Sequence, residues 1–147
     1  MPSDYQLAQL IHVLAASVWI GGHIVILVGY VPRLLASGSF KELEDFERVY
    51  EKIGLPSLVI AALTGIYMAL KISSPSDWLS TREPGVLVAV KILLVAATVA
   101  LALDARMRII RRYRATGRIN KWDMALHIAG VTLIAVLFAV VGWMIRY

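Results

Sequence analysis

Two histidines, His12 and His23, stand eleven residues apart in one apolar segment that also carries Trp19, Gly21 and Gly22. On an α-helix, eleven steps of about 100° return almost to the starting angle. Both imidazoles therefore share a face and lie roughly 16 Å apart along the axis. The third and last histidine, His127, lies in another apolar segment. Ionisable side chains are costly within a bilayer and by default mark a functional site there. Neutral imidazole is a common metal ligand, so His12, His23 and His127 are candidate ligands of a metal centre, haem foremost. For any one of them the competing reading is a histidine that only hydrogen-bonds across helices.

Elements must hold these side chains, and the composition says of what kind. The chain has 147 residues, 59% of them hydrophobic, with a mean hydropathy of +0.73. The apolar residues fall into four runs near bilayer length: 5–35, 55–70, 86–105 and 124–145. This predicts an all-α integral membrane four-helix bundle, a single transmembrane domain over 1–147. The second run is short for a span. No cysteine is present, which excludes disulfides and thiolate ligands. The first run is too long for a cleavable signal peptide, and no basic residue precedes it.

The link at 39–53 is patterned. Ser39-Phe40-Lys41-Glu42 fits a capping box, and Phe40, Leu43, Phe46, Tyr50 and Ile53 then recur at helical steps. That spacing predicts a short amphipathic helix at the membrane surface, broken by Gly54 and Pro56 before the second span. The connection from Ser73 to Gly85 reads as a polar loop with an interfacial Trp78.

An even number of spans puts both termini on one side. That side carries Lys71, Arg82, Lys91 and Arg146. The other carries Arg33, Lys41, Arg48, Lys52, Arg106, Arg108, Arg111, Arg112, Arg114, Arg118 and Lys121. The positive-inside rule predicts a multi-pass protein of the cytoplasmic membrane with both termini outside. It also explains the net charge of +5 without a nucleic-acid partner; membrane lipid is the expected one, and the arginines after Asp104 could bind its anionic members. Whether further copies of the chain associate is left open.

Depth then groups the polar residues. His12, Lys91, Met68 and Met144 fall near the outer surface. His23 and His127 fall deeper, and can meet if the first and fourth spans are neighbours. Small residues beside the imidazoles, Gly22 among them, leave room for a flat macrocycle or for close helix approach. Ser57, Ala61, Thr64 and Met68 form one stripe of the second span; Lys91, Val95, Thr98 and Ala102 form one of the third.

The string His12, Trp19, Gly21, Gly22 resembles the first-span signature of CopD-like membrane proteins and of the related HemJ-type protoporphyrinogen oxidases. Pro32-Arg33 resembles the Pro-Arg closing that span in the HemJ group, and Thr64-Gly65 the Thr-Gly of the CopD-like group. Lys91 resembles a lysine found at that place in both. The HemJ resemblance implies haem b, with roles for His12 and Lys91 and with Trp19, Gly22 and Arg33 as further cofactor-binding candidates. The CopD resemblance implies copper uptake or a haem-linked redox role. The chain departs from the HemJ pattern: Arg33 lies fourteen residues after Trp19, and His23 and His127 are additional. These departures favour a b-type cytochrome with one or two haems, serving a redox donor and acceptor. A protoporphyrinogen oxidase and a copper permease are the alternatives.

Overall fold

In a computed structural model, residues 3–79 and 83–145 are described. They form four long helices: α1 (Asp4–Ser37), α2 (Lys41–Ile72), α3 (Gly85–Thr116) and α4 (Lys121–Met144). Each is long and apolar enough to cross a bilayer, and no strand occurs among the described residues. The architecture is the expected all-α four-helix membrane bundle. Arg82 and Arg146, two of the four bases counted on the terminal side, lie outside the described residues.

Helix starts and stops follow from local chemistry. The Ser3 hydroxyl accepts the Gln6 backbone N–H at 3.2 Å, and the Gln6 side chain accepts that of Ser3 at 2.9 Å. This capping box opens α1. Gly38 and Gly117 end α1 and α3 in the left-handed conformation, at φ 70° and 65°, which favours glycine. The Asn120 side chain accepts the Trp122 and Asp123 amides and opens α4. A wide π-type turn at Ile26–Tyr30 precedes Pro32, whose ring would press on a carbonyl one turn earlier in a regular helix.

Three boundary expectations are corrected. The amphipathic stretch 39–53 is helical from Lys41, but it is not a separate surface helix; α2 runs unbroken through Gly54 and Pro56. Proline within a membrane helix is tolerated where neighbours and hydroxyls satisfy the freed groups. Here the Ser57 hydroxyl donates to the Ile53 carbonyl at 2.8 Å. Gly54 is not a breaker either: a Cβ there would lie 2.8 Å from the Tyr50 ring. The capping box at Ser39 does not form; Phe40 occupies the cap with no side-chain bond. The third span, expected to end at 105, continues as helix to Thr116.

The helices pack in the order α2–α1–α4–α3, leaving a looser seam between α2 and α3. The two ends of the bundle differ. At the end rich in arginine, Ile26, Leu34, Phe40, Leu43, Met124 and Ile128 belong to one dense apolar cluster. Lys121 Nζ donates to the Leu35 carbonyl at 2.6 Å there, and Arg106 pairs with Glu51 across the α2–α3 seam. At the end holding the termini, the seam opens into a cavity.

Candidate functional site

The cavity has a volume of about 260 Å³ and lies between α2 and α3, with α1 and α4 behind it. Small-molecule sites start near ~300 Å³, so it is at the lower edge of that class. Its walls are almost wholly apolar, with Ala61, Gly65 and Met68 from α2 and Val88 and Val95 from α3. Two polar side chains break this lining: His12 and Lys91.

His12 is 7% exposed and turned towards α2. Its Nδ1 lies 2.8 Å from the Ala61 carbonyl and 3.1 Å from the Thr64 hydroxyl. A carbonyl only accepts, so Nδ1 carries the proton and donates. The Thr64 hydroxyl is itself directed to the Ile60 carbonyl at 2.6 Å. Nε2 then holds the ring lone pair, the arrangement of a metal-binding imidazole whose tautomer is fixed from behind. Gly65 makes this possible, since a Cβ there would come within 3.1 Å of His12 Cε1.

Lys91 sits on the other wall. Its Nζ lies over the Phe138 ring at 4.7 Å, a cation–π contact, and a Cβ at Gly142 would come 3.1 Å from it. Phe138 also flanks His12, with ring centroids 6.2 Å apart. Met68 is 6% exposed and lines the cavity; Met144 is largely exposed, and Ile145 lines the cavity where Met144 was expected. Trp78 covers one side, its indole N–H donating to Ser73 Oγ at 2.8 Å. The short turn Pro75–Leu79 that carries it rests on Gly85, where a Cβ would meet the Asp77 carbonyl at 2.1 Å.

A second void of about 20 Å³ shares Ala61, Ala62, Val95 and Phe138 with the cavity and reaches Trp19 and Thr98. That is room for about one water molecule. Beyond it stands His23. Its Nδ1 donates to the Trp19 carbonyl at 2.9 Å, and its ring packs on Trp19 at 4.3 Å and edge-on to Tyr50 at 5.9 Å. The Tyr50 hydroxyl donates to the same Trp19 carbonyl at 2.9 Å. Tyr50 occupies the space beside Gly22, where a Cβ would lie 2.1 Å from its ring carbons. The small residue there serves close helix approach, and a side chain fills the gap where a macrocycle edge was one expectation.

His127 turns elsewhere. Its Nδ1 is 3.8 Å from Asp104 Oδ2 on α3. Asp104 accepts two bonds from Arg108, at 2.9 and 2.8 Å, and Arg108 also reaches Asp123. α1 and α4 are neighbours, and Thr132 Oγ1 donates to the His23 carbonyl at 3.3 Å. The His23 ring nevertheless packs on Tyr50 of α2, while His127 lies beside Asp104 of α3. Arg33 is exposed at the arginine-rich end, over Tyr30 and 3.2 Å from Glu42, far from the cavity. No cluster of three or more histidines and carboxylates able to hold a metal ion occurs among the described residues.

Phe138, Tyr50 and Gly142 carry no chemical signal of their own in the sequence. Each matters through a contact between distant segments. Aromatic spacing on α2 could have singled out Tyr50, but not its seat on α1.

No curated protein and no solved structure matches this chain. A family model described as copper resistance protein D matches residues 44–144. The match takes in Met68, Lys91, Phe138 and His127; His12 and His23 precede it. It covers more than half of the sequence and, with four apolar helices, defines a multi-pass membrane protein: this chain belongs to the copper resistance protein D family.

Proposed function

We propose that the protein handles copper within the membrane, with the cuprous ion as cargo. His12 Nε2 and the Met68 thioether take the ion at the cavity, and Trp19 and His23 lie on its onward path. The observation that carries this reading is the His12 imidazole, fixed through Ala61 so that its lone pair is free in a cavity shared with a buried methionine. Imidazole and thioether suit Cu(I), and few ligands suit an ion in transit. The arginine-rich end is read as cytoplasmic, by the same asymmetry of bases, which puts the cavity on the outer side of the cell membrane. Family membership supports copper as the metal.

The test is uptake of Cu(I), held by a weak chelator, into vesicles containing the purified protein. Uptake that falls to the protein-free rate in both His12→Ala and Met68→Leu supports the reading. Uptake unchanged in both refutes it.

Lys91 favours a second reading, a haem b protein in electron transfer. An ammonium in an apolar cavity matches a carboxylate, such as a porphyrin propionate, better than it matches a cation. His12 and Lys91 would then hold the haem at this end, and His23 or His127 any second one. Haem would supply one-electron chemistry, and the chain would set ligation and access. A Soret band in protein purified from haem-replete cells separates the readings. A five-coordinate haem that oxidises protoporphyrinogen would instead make it an oxidase.

A further inference from the structure

α3 outlasts its apolar run. Asp104 closes that run, yet the helix continues to Thr116. Arg111 and Arg114 therefore stand roughly 10 to 15 Å beyond Asp104 along the axis. They follow Leu103 and Met107 at steps of three and four, so these four residues share roughly one face. Leu103 is 51% and Met107 63% exposed, as expected of side chains directed at lipid. The lipid-facing stripe of α3 thus passes directly into arginine at the depth where headgroups begin. Trp122, 61% exposed at the start of α4, stands at the same end.

Five of the eight other cations at this end are committed. Arg106 is paired with Glu51, Arg108 with Asp104 and Asp123, Arg33 with Glu42 and Arg48 with Asp45; Lys121 donates to the Leu35 carbonyl. Arg111, Arg112 and Arg114 are exposed and have no carboxylate partner among the described residues. Their backbone is held in place: Tyr113, between them, packs edge-on against Phe40 at 4.9 Å. We infer that Arg111, Arg112 and Arg114 form a binding site for the phosphate groups of anionic membrane lipids. The three positive charges attract phosphate, and a fixed helix presents them together without ordering a loop.

The experiment uses the full chain in nanodiscs of phosphatidylcholine with a minor share of phosphatidylglycerol. Lipids retained on gentle extraction are counted by native mass spectrometry. One basic residue near an anionic surface gives about a fivefold preference. The wild type should be enriched in phosphatidylglycerol, and R111Q/R112Q/R114Q should lose that enrichment by about tenfold or more. The lysine triple R111K/R112K/R114K, which keeps the charge, should retain most of it. A glutamine triple that retains the wild-type enrichment, or a lysine triple that loses as much as the glutamine one, overturns the inference. Enrichment abolished by millimolar inorganic phosphate at constant ionic strength would show a site for free phosphate and would also overturn it.

Discussion

Replacing Lys91 by leucine removes an ammonium from the cavity wall and puts no metal-binding atom in its place. The two distances through Phe138 place that ammonium within about 11 Å of the His12 ring. For a monovalent cation bound at His12, an effective dielectric of ~20 gives a repulsion of ~1.5 kcal/mol at that separation. Lys91→Leu should therefore tighten Cu(I) binding roughly tenfold. A competition titration against a chromogenic Cu(I) chelator, in detergent, reads this directly. Affinity that is unchanged or weaker in the variant refutes the electrostatic argument and removes His12 as the binding atom. If haem is the occupant the sign reverses, because the lost ammonium would have neutralised a propionate. The variant would then retain less haem, with its low-spin spectrum intact. One substitution thus separates the two readings by the direction of its effect.

Three further outcomes follow from packing. Gly22→Ala drives Tyr50 from its seat and should cost about 2–4 kcal/mol, combining overpacking with a lost hydroxyl bond. Gly21→Ala, with nothing within 4 Å of its Cβ, should cost nothing measurable. Thermal unfolding in detergent compares them, and the Gly22→Ala cost should vanish in a Tyr50→Ala background. Gly65→Ala presses on the His12 ring and should weaken Cu(I) binding several-fold, by loosening the bond to Ala61, with a stability loss near ~1 kcal/mol. Lys121→Met frees the Leu35 carbonyl at the end of α1 and should cost about 1–2 kcal/mol, read in the same melts.

Much of the fold was legible because the bilayer imposes one period and one length on every span. The eleven-residue spacing of His12 and His23 predicts a shared face, and both side chains indeed turn towards α2. Depth counting grouped His12, Met68 and Lys91, which line one cavity. It failed for Met144, where a shift of one residue gives Ile145 the place. The helical extension to Thr116 was hidden because membrane hydropathy ends at Asp104, while arginine is a good helix former and continues the helix. Pro56 was read as a stop on a rule drawn from water. In a membrane the helix continues, since any break would leave polar backbone in lipid.

What depth cannot supply is azimuth. His23 and His127 were matched by level alone, yet each ring is aimed by its own surroundings. Tyr50 and Trp19 hold His23, while His127 lies beside Asp104 of α3, which Arg108 fixes. A sequence gives each side chain a height and a face on its own helix. Which neighbour that face meets depends on how the helices are ordered around the bundle, and here small residues decide that. Gly22 and Gly54 admit Tyr50 and lock α2 onto α1. With α2 and α3 both anchored elsewhere, their seam opens at one end, and His12, Met68 and Lys91 are left facing the space between them. The cavity thus lies where glycine lets α1 and α2 close and where small residues of α2 and α3, Ala61, Gly65 and Ala96 among them, leave the opposite seam unfilled. Substitutions at Gly22 and Gly54 should consequently reach the cavity from a distance, by moving α2 against α1, without touching either of its polar side chains.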